Sequence, residues 1–120
     1  MNGPVHPAAC AAARRICAAP GRLSVAGLSN QLGLSVRRLE QVFRADVGLS
    51  PKAYQRLQRF RSALSRIDSV PACGWAEIAT ESGYYDQSHL IHDFQHHAGL
   101  TPREYLKARG PFLNHVPISA

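Results

Sequence analysis

With 120 residues, 45% of them hydrophobic and 18% charged, the chain has enough apolar material for one ordinary domain or two very small ones. That mix excludes a disordered tail, and the longest apolar-leaning stretch, Pro7 to Ala13, is far too short to span a membrane and breaks at Arg14 and Arg15. Fourteen Lys and Arg against eight Asp and Glu leave a net charge of +6, which favours a polyanionic partner, nucleic acid ahead of a membrane surface.

Helical periodicity recurs along the chain, and no window of about four to eight residues alternates like a strand, so the fold class is all-α. The segment after Met1 lacks the basic and apolar regions of a secretory signal. Pro7 to Ala19 carries Ala9, Ala12, Ala13 and Ile16 on one stripe, and Pro20-Gly21 ends it. Ser24 caps a short helix that stops at Gly33; Ser35 caps a second, to about Val47, that stops at Gly48. Ser50-Pro51 opens a long helix to about Asp68, with Tyr54, Leu57, Phe60, Leu64 and Ile67 at steps of three and four. A shorter helix spans about Trp75 to Ser82 and stops at Gly83. Asp86 caps the next, to about Ala98, stopped by Gly99. Thr101-Pro102 opens a last short helix to about Ala108, and Gly110 to Ala120 reads as a frayed tail. Three cysteines, Cys10, Cys17 and Cys73, form no CxxC pair, so neither a disulfide framework nor a zinc ribbon follows and a reducing cytosol fits.

The chain repeats itself. Phe43-Arg-Ala-Asp-Val-Gly-Leu-Ser-Pro-Lys-Ala-Tyr54 aligns with Phe94-Gln-His-His-Ala-Gly-Leu-Thr-Pro-Arg-Glu-Tyr105, each matched residue 51 positions on. Upstream of the caps the offset falls to 50, pairing Leu28 with Ile78 and Gly33 with Gly83, so the second copy has one extra turn residue. These are two copies of a helix–turn–helix unit. The domain plan is an N-terminal helix and first unit over residues 1–50, a linker helix over 51–68, a second unit over 71–109 and a flexible tail over 110–120, together one compact domain.

At about 100° per residue, Leu39, Val42 and Phe43 share the inward side of the helix after Ser35. Arg37, Gln41 and Arg44 lie opposite, with Arg38 on the edge. In the second copy Leu90 and Phe94 face inward while Ser88, His92 and Gln95 point out. Both outward faces carry groups suited to base edges or phosphate.

The run Leu28-Ser-Asn-Gln-Leu-Gly-Leu-Ser-x-Arg-Arg-Leu-x-x-Val-Phe-Arg, followed by Gly-Leu-Ser-Pro, resembles the first half of an AraC/XylS-type DNA-binding domain. Trp75-x-x-Ile-Ala-x-x-x-Gly-Tyr-Tyr-Asp-Gln-Ser-His-Leu-x-x-Asp-Phe, then Gly-Leu-Thr-Pro-x-x-Tyr, resembles its second half. The resemblance covers roughly Val5 to Ala108. It implies seven helices in two homeodomain-like three-helix units, with recognition helices 35–47 and 86–98 entering successive major-groove segments. The family's base-reading positions fall on Arg37 and Gln41, and on Gln87, Ser88 and His92; its linker-helix arginine falls on Arg59. Arg38, Arg44, Arg59 and the helix starts at Ser35, Ser50 and Thr101 are the expected phosphate contacts, the free amides of a helix start suiting an anion.

The resemblance implies a bacterial, cytoplasmic, nucleoid-associated regulator that binds promoter DNA and acts with RNA polymerase, needing no cofactor. Its usual effector-sensing domain has no room here, so the expectation is either an excised C-terminal domain or a stand-alone member, with Met1-Asn2-Gly3-Pro4, which reads as the start of a linker, favouring excision. From Ser35 to Arg66 there are eight basic and two acidic residues; from Pro71 to Thr101 there are four acidic residues and no Lys or Arg. The first unit is therefore expected to supply most of the phosphate attraction, and the acidic second half supports a competing class, a protein-interaction module that kept the fold. His92 and His96, with His89, have the spacing of a metal site, weighed against a turn role for His89, a DNA-facing His92 and surface places for Asp93, His96 and His97. Protonating outward histidines would return positive charge to the acidic half. Trp75 and Tyr84 read as core, Tyr85 and Tyr84 carry hydroxyls that can reach phosphate, and Cys73 has no basic neighbour to activate it. No nucleophile elbow, P-loop or paired carboxylate gives an enzyme anything to stand on.

Overall fold

The computed structural model describes residues 6–21, 23–69 and 74–113. Among them are seven helices and no strand: α1 (Pro7–Ala18), α2 (Val25–Leu32), α3 (Val36–Val47), α4 (Pro51–Ser69), α5 (Trp75–Ser82), α6 (Gln87–Ala98) and α7 (Pro102–Leu113). Among the described residues, no helix is long and apolar enough to cross a membrane. Met1 to Pro4, Cys73 and the end of the tail lie outside the described residues.

Local chemistry sets most boundaries. The hydroxyls of Ser24 and Ser35 accept from the amides of Gly27 and Arg38, both at 3.0 Å, and an Asp86 carboxylate oxygen accepts from His89 at 2.8 Å. Each caps its helix by satisfying a first-turn donor. At the matched ends of α3 and α6 the chain turns at Gly48 (φ 91°) and Gly99 (φ 82°), a left-handed conformation that side chains with a Cβ rarely adopt.

The end of α7 departs from the sequence reading. Gly110-Pro111 reads as a stop and the start of a frayed tail, yet the helix runs on to Leu113. Asp68 of α4 accepts from the Tyr105 hydroxyl at 3.0 Å and pairs with the Arg109 guanidinium. That anchor holds α7 as far as Arg109, one residue before the Gly-Pro pair.

The chain divides into two compact units, Met1–Arg59 and Phe60–Ala120, with the boundary inside α4. The helix that the sequence presents as a separate linker thus belongs half to each unit. In the first, Ala9, Ala12 and Ile16 of α1 pack with Leu28 of α2 and Leu39, Val42 and Phe43 of α3. In the second, Ala63 and Ile67 of α4 pack with Ile78 and Ala79 of α5, Tyr84, and Leu90 and Phe94 of α6.

These cores extend the duplication beyond the motifs that reveal it. Ala12, Ala13 and Ile16 lie 51 positions before Ala63, Leu64 and Ile67, so the second half of α4 serves the second unit as α1 serves the first. Contacts repeat as well. Phe43 meets Tyr54 edge-on with ring centroids 5.4 Å apart, and Phe94 meets Tyr105 at 5.7 Å. The Tyr54 hydroxyl lies 3.3 Å from Cys17 Sγ, where its counterpart Tyr105 finds Asp68. Arg15 donates to Gln31 at 3.1 Å, and the equivalent Arg66 donates to Glu81 at 2.9 Å. One substitution of chemistry stands out: Leu34 and Val42 of the first unit become Tyr84 and Asp93 of the second, joined by a buried hydrogen bond of 2.9 Å.

Candidate nucleic-acid interface

On α3, burying Leu39, Val42 and Phe43 forces Arg37, Gln41 and Arg44 onto the opposite side, where all three are exposed within an arc of about 60°. Arg38 and Glu40 flank them and are also exposed. Together they form a strip of long, hydrogen-bonding side chains with a positive balance, carried on a helix whose other side is locked in a core.

The second unit presents the same geometry with different chemistry. Leu90, Asp93 and Phe94 are buried, and Gln87, Ser88, His92 and Gln95 are exposed on α6. None of those four is a lysine or arginine. The structure places all five base-edge candidates at exposed positions on the two helices that follow the Gly33 and Gly83 turns.

The phosphate candidates divide. Arg38 and Arg44 are exposed beside the α3 strip. Arg59 is half-buried on α4 and already engaged within the protein, which sets it apart from them. The hydroxyls at the three helix starts are spent on caps: Ser35 on Arg38, Ser50 on Ala53 at 3.1 Å and Thr101 on Glu104 at 3.1 Å. At Thr101 the Glu104 carboxylate also accepts from the Thr101 amide at 2.9 Å, a reciprocal capping box. A phosphate there would displace or repel that carboxylate, so this start is poorer than those at Ser35 and Ser50.

The histidine-rich stretch resolves into separate tasks. His89 Nδ1 accepts from the Tyr85 amide at 3.1 Å, and its ring stands edge-on to Tyr84, so it serves the turn. His92 and His96 are exposed. Asp93 and His97 are not the surface residues that the sequence suggests. Asp93 is 2% exposed and accepts from the Tyr84 hydroxyl; His97 lies 3.5 Å from the same carboxylate and packs on Phe60. Sequence reasoning missed this network because a carboxylate among histidines reads as solvated. The 51-residue register pairing Asp93 with the inward Val42 was the signal available. Among the described residues no three His, Cys, Asp or Glu side chains converge as a metal site.

Residues 28–108 match the family model described as a helix-turn-helix domain. Among solved structures, the chain is similar to the C-terminal domain of AraT, a response regulator from Geobacillus stearothermophilus, with a TM-score of 0.81 and 21% identity over 89% of each chain. It is similar to an AraC-type regulator from Chromobacterium violaceum, with a TM-score of 0.76 and 23% identity over 92% of this chain and 95% of that one. The DNA-binding domain of AdpA, a global transcriptional factor solved with a target DNA, aligns with a TM-score of 0.77 and 20% identity over 87% and 94%. At these identities the likeness is one of fold. Comparison with curated proteins gives no significant match.

Proposed function

The chain belongs to the AraC/XylS-type helix-turn-helix family, and from that premise we propose that it binds double-stranded promoter DNA sequence-specifically for a bacterial transcription regulator. α3 and α6 are the recognition helices, each entering its own major-groove segment. Arg37 and Gln41 read base edges in the first unit; Gln87, Ser88 and His92 read them in the second. Arg38 and Arg44, with the helix starts at Ser35 and Ser50, hold phosphate; Arg59 and Thr101 contribute less. The regulator would work in the cytoplasm on the nucleoid, alongside RNA polymerase, under the control of an effector-sensing domain.

The observation that carries this reading is the exposed Arg37–Gln41–Arg44 strip set against a buried Leu39–Val42–Phe43 side. Arginine and glutamine are the side chains that make paired hydrogen bonds to guanine and adenine edges. The DNA-bound AdpA domain supports it through its similar fold. Arg37→Ala and Gln41→Ala should each cost about 1–3 kcal/mol of discrimination between a selected duplex and random DNA, with a smaller loss of non-specific binding. Gel shifts across a salt series measure both. Equal proportional losses would reassign these residues to phosphate, and no shift even at low salt would leave the protein-interaction reading, which the acidic α5–α6 segment favours.

A further inference from the structure

We propose that Tyr85 is a specificity-determining residue of the second unit, its ring packing against the 5-methyl group of a thymine beside the bases read from the start of α6. The proposal rests on the DNA-binding reading above. Tyr85 is 89% exposed, against 39% for Val36 and 37% for Leu49, the other exposed large hydrophobic residues among those described. An aromatic ring so open to water gives up hydrophobic free energy in the unbound protein and regains it when something covers the ring.

Its position is fixed from both sides. Tyr84 is tied through its hydroxyl to buried Asp93, Asp86 caps α6, and the Tyr85 amide itself donates to His89 Nδ1. The backbone at Tyr85 is thus held at the end of the recognition helix whose first residues, Gln87 and Ser88, are the base-edge candidates; N-terminal residues of recognition helices are those that meet base edges. Little ordering entropy remains to be lost on binding beyond two side-chain torsions.

Comparison of the two copies isolates the residue further. Leu34 corresponds to Tyr84 at an offset of 50 and Ser35 to Asp86 at 51, so Tyr85 is the extra residue of the second turn. It adds what that unit's exposed face otherwise lacks. Gln87, Ser88, His92 and Gln95 can all exchange hydrogen bonds with base edges, but none offers the apolar surface that singles out a thymine in the major groove.

The test selects binding sites for the whole chain from a random duplex library, with wild type, Tyr85→Ala and Tyr85→Phe, then replaces each selected thymine singly by deoxyuridine. Wild type and Tyr85→Phe are expected to lose about three- to fivefold in affinity at one thymine, the size set by one buried methyl group. Tyr85→Ala should lose sensitivity at that position and stop selecting thymine there. The proposal is overturned if Tyr85→Ala selects the same sites with the same deoxyuridine sensitivity. It also falls if Tyr85→Phe weakens binding uniformly like Tyr85→Ala, which would put the hydroxyl on phosphate. Failure of the wild type to enrich any sequence would overturn it together with the DNA-binding reading, and that outcome is distinct from the other two.

Discussion

Val42 and Asp93 hold the same place in the two copies, one a buried hydrocarbon and the other a buried carboxylate. A carboxylate in a core is expensive unless hydrogen-bonded, and here the Tyr84 hydroxyl donates to it while His97 Nε2 lies 3.5 Å away. Asp93→Val alone deprives the buried Tyr84 hydroxyl of this acceptor and should cost about 1–3 kcal/mol. The double variant Tyr84→Leu/Asp93→Val installs the first unit's pairing of Leu34 and Val42 and should recover at least half of the loss. Urea unfolding of the two variants decides the matter: a double variant no more stable than the single one would show that packing, and not the polar pair, sets the cost. Asp93 was illegible in the sequence because a carboxylate among histidines reads as solvated, and its partner Tyr84 lies on the preceding turn, nine residues away.

At the scale of elements, α7 runs past its own stop signal and is anchored just before it. The Tyr105 phenol is raised above its ordinary pKa, first by burial and then by the Asp68 carboxylate that accepts its hydrogen bond. The folded state therefore favours the protonated phenol. Its contribution is fully present below the unfolded value, near 10, and is lost as pH rises through the higher folded value. The unfolding temperature should fall above about pH 10, and Tyr105→Phe, though less stable at neutral pH, should show a shallower fall. Identical alkaline slopes would mean that this phenol is not what titrates. The starts and stops of α2, α3 and α6 were legible because a serine, an aspartate or a glycine acts within one turn. The true end of α7 was not, because Gly110-Pro111 is a local stop signal, and the contact that fixes the helix just before it comes from Asp68, 41 residues before Arg109.

Over the whole molecule the charge is lopsided: eight basic residues lie between Ser35 and Arg66, and no Lys or Arg between Pro71 and Thr101. Binding to a polyanion should therefore draw its salt dependence from the first unit. Arg44→Ala is expected to flatten the slope of log K against log salt by about one counterion, and Gln95→Ala, at the matched position, to leave it unchanged. Equal slopes for the two variants would contradict the asymmetry.

Helical class, duplication and the two outward strips follow from the sequence alone, because each depends on spacings of three, four and 51 residues that survive in one dimension. Helix geometry alone sets Arg37 and Gln41 opposite Leu39 and Phe43 and permits no other arrangement. The tertiary structure decided what spacing cannot express. It divided α4 between two cores, set Asp93 inside one of them, spent the Thr101 start on a capping box with Glu104, and left Tyr85 standing in solvent. Each of these depends on which surfaces meet in space, and burial is a property of the meeting surfaces and not of the residue.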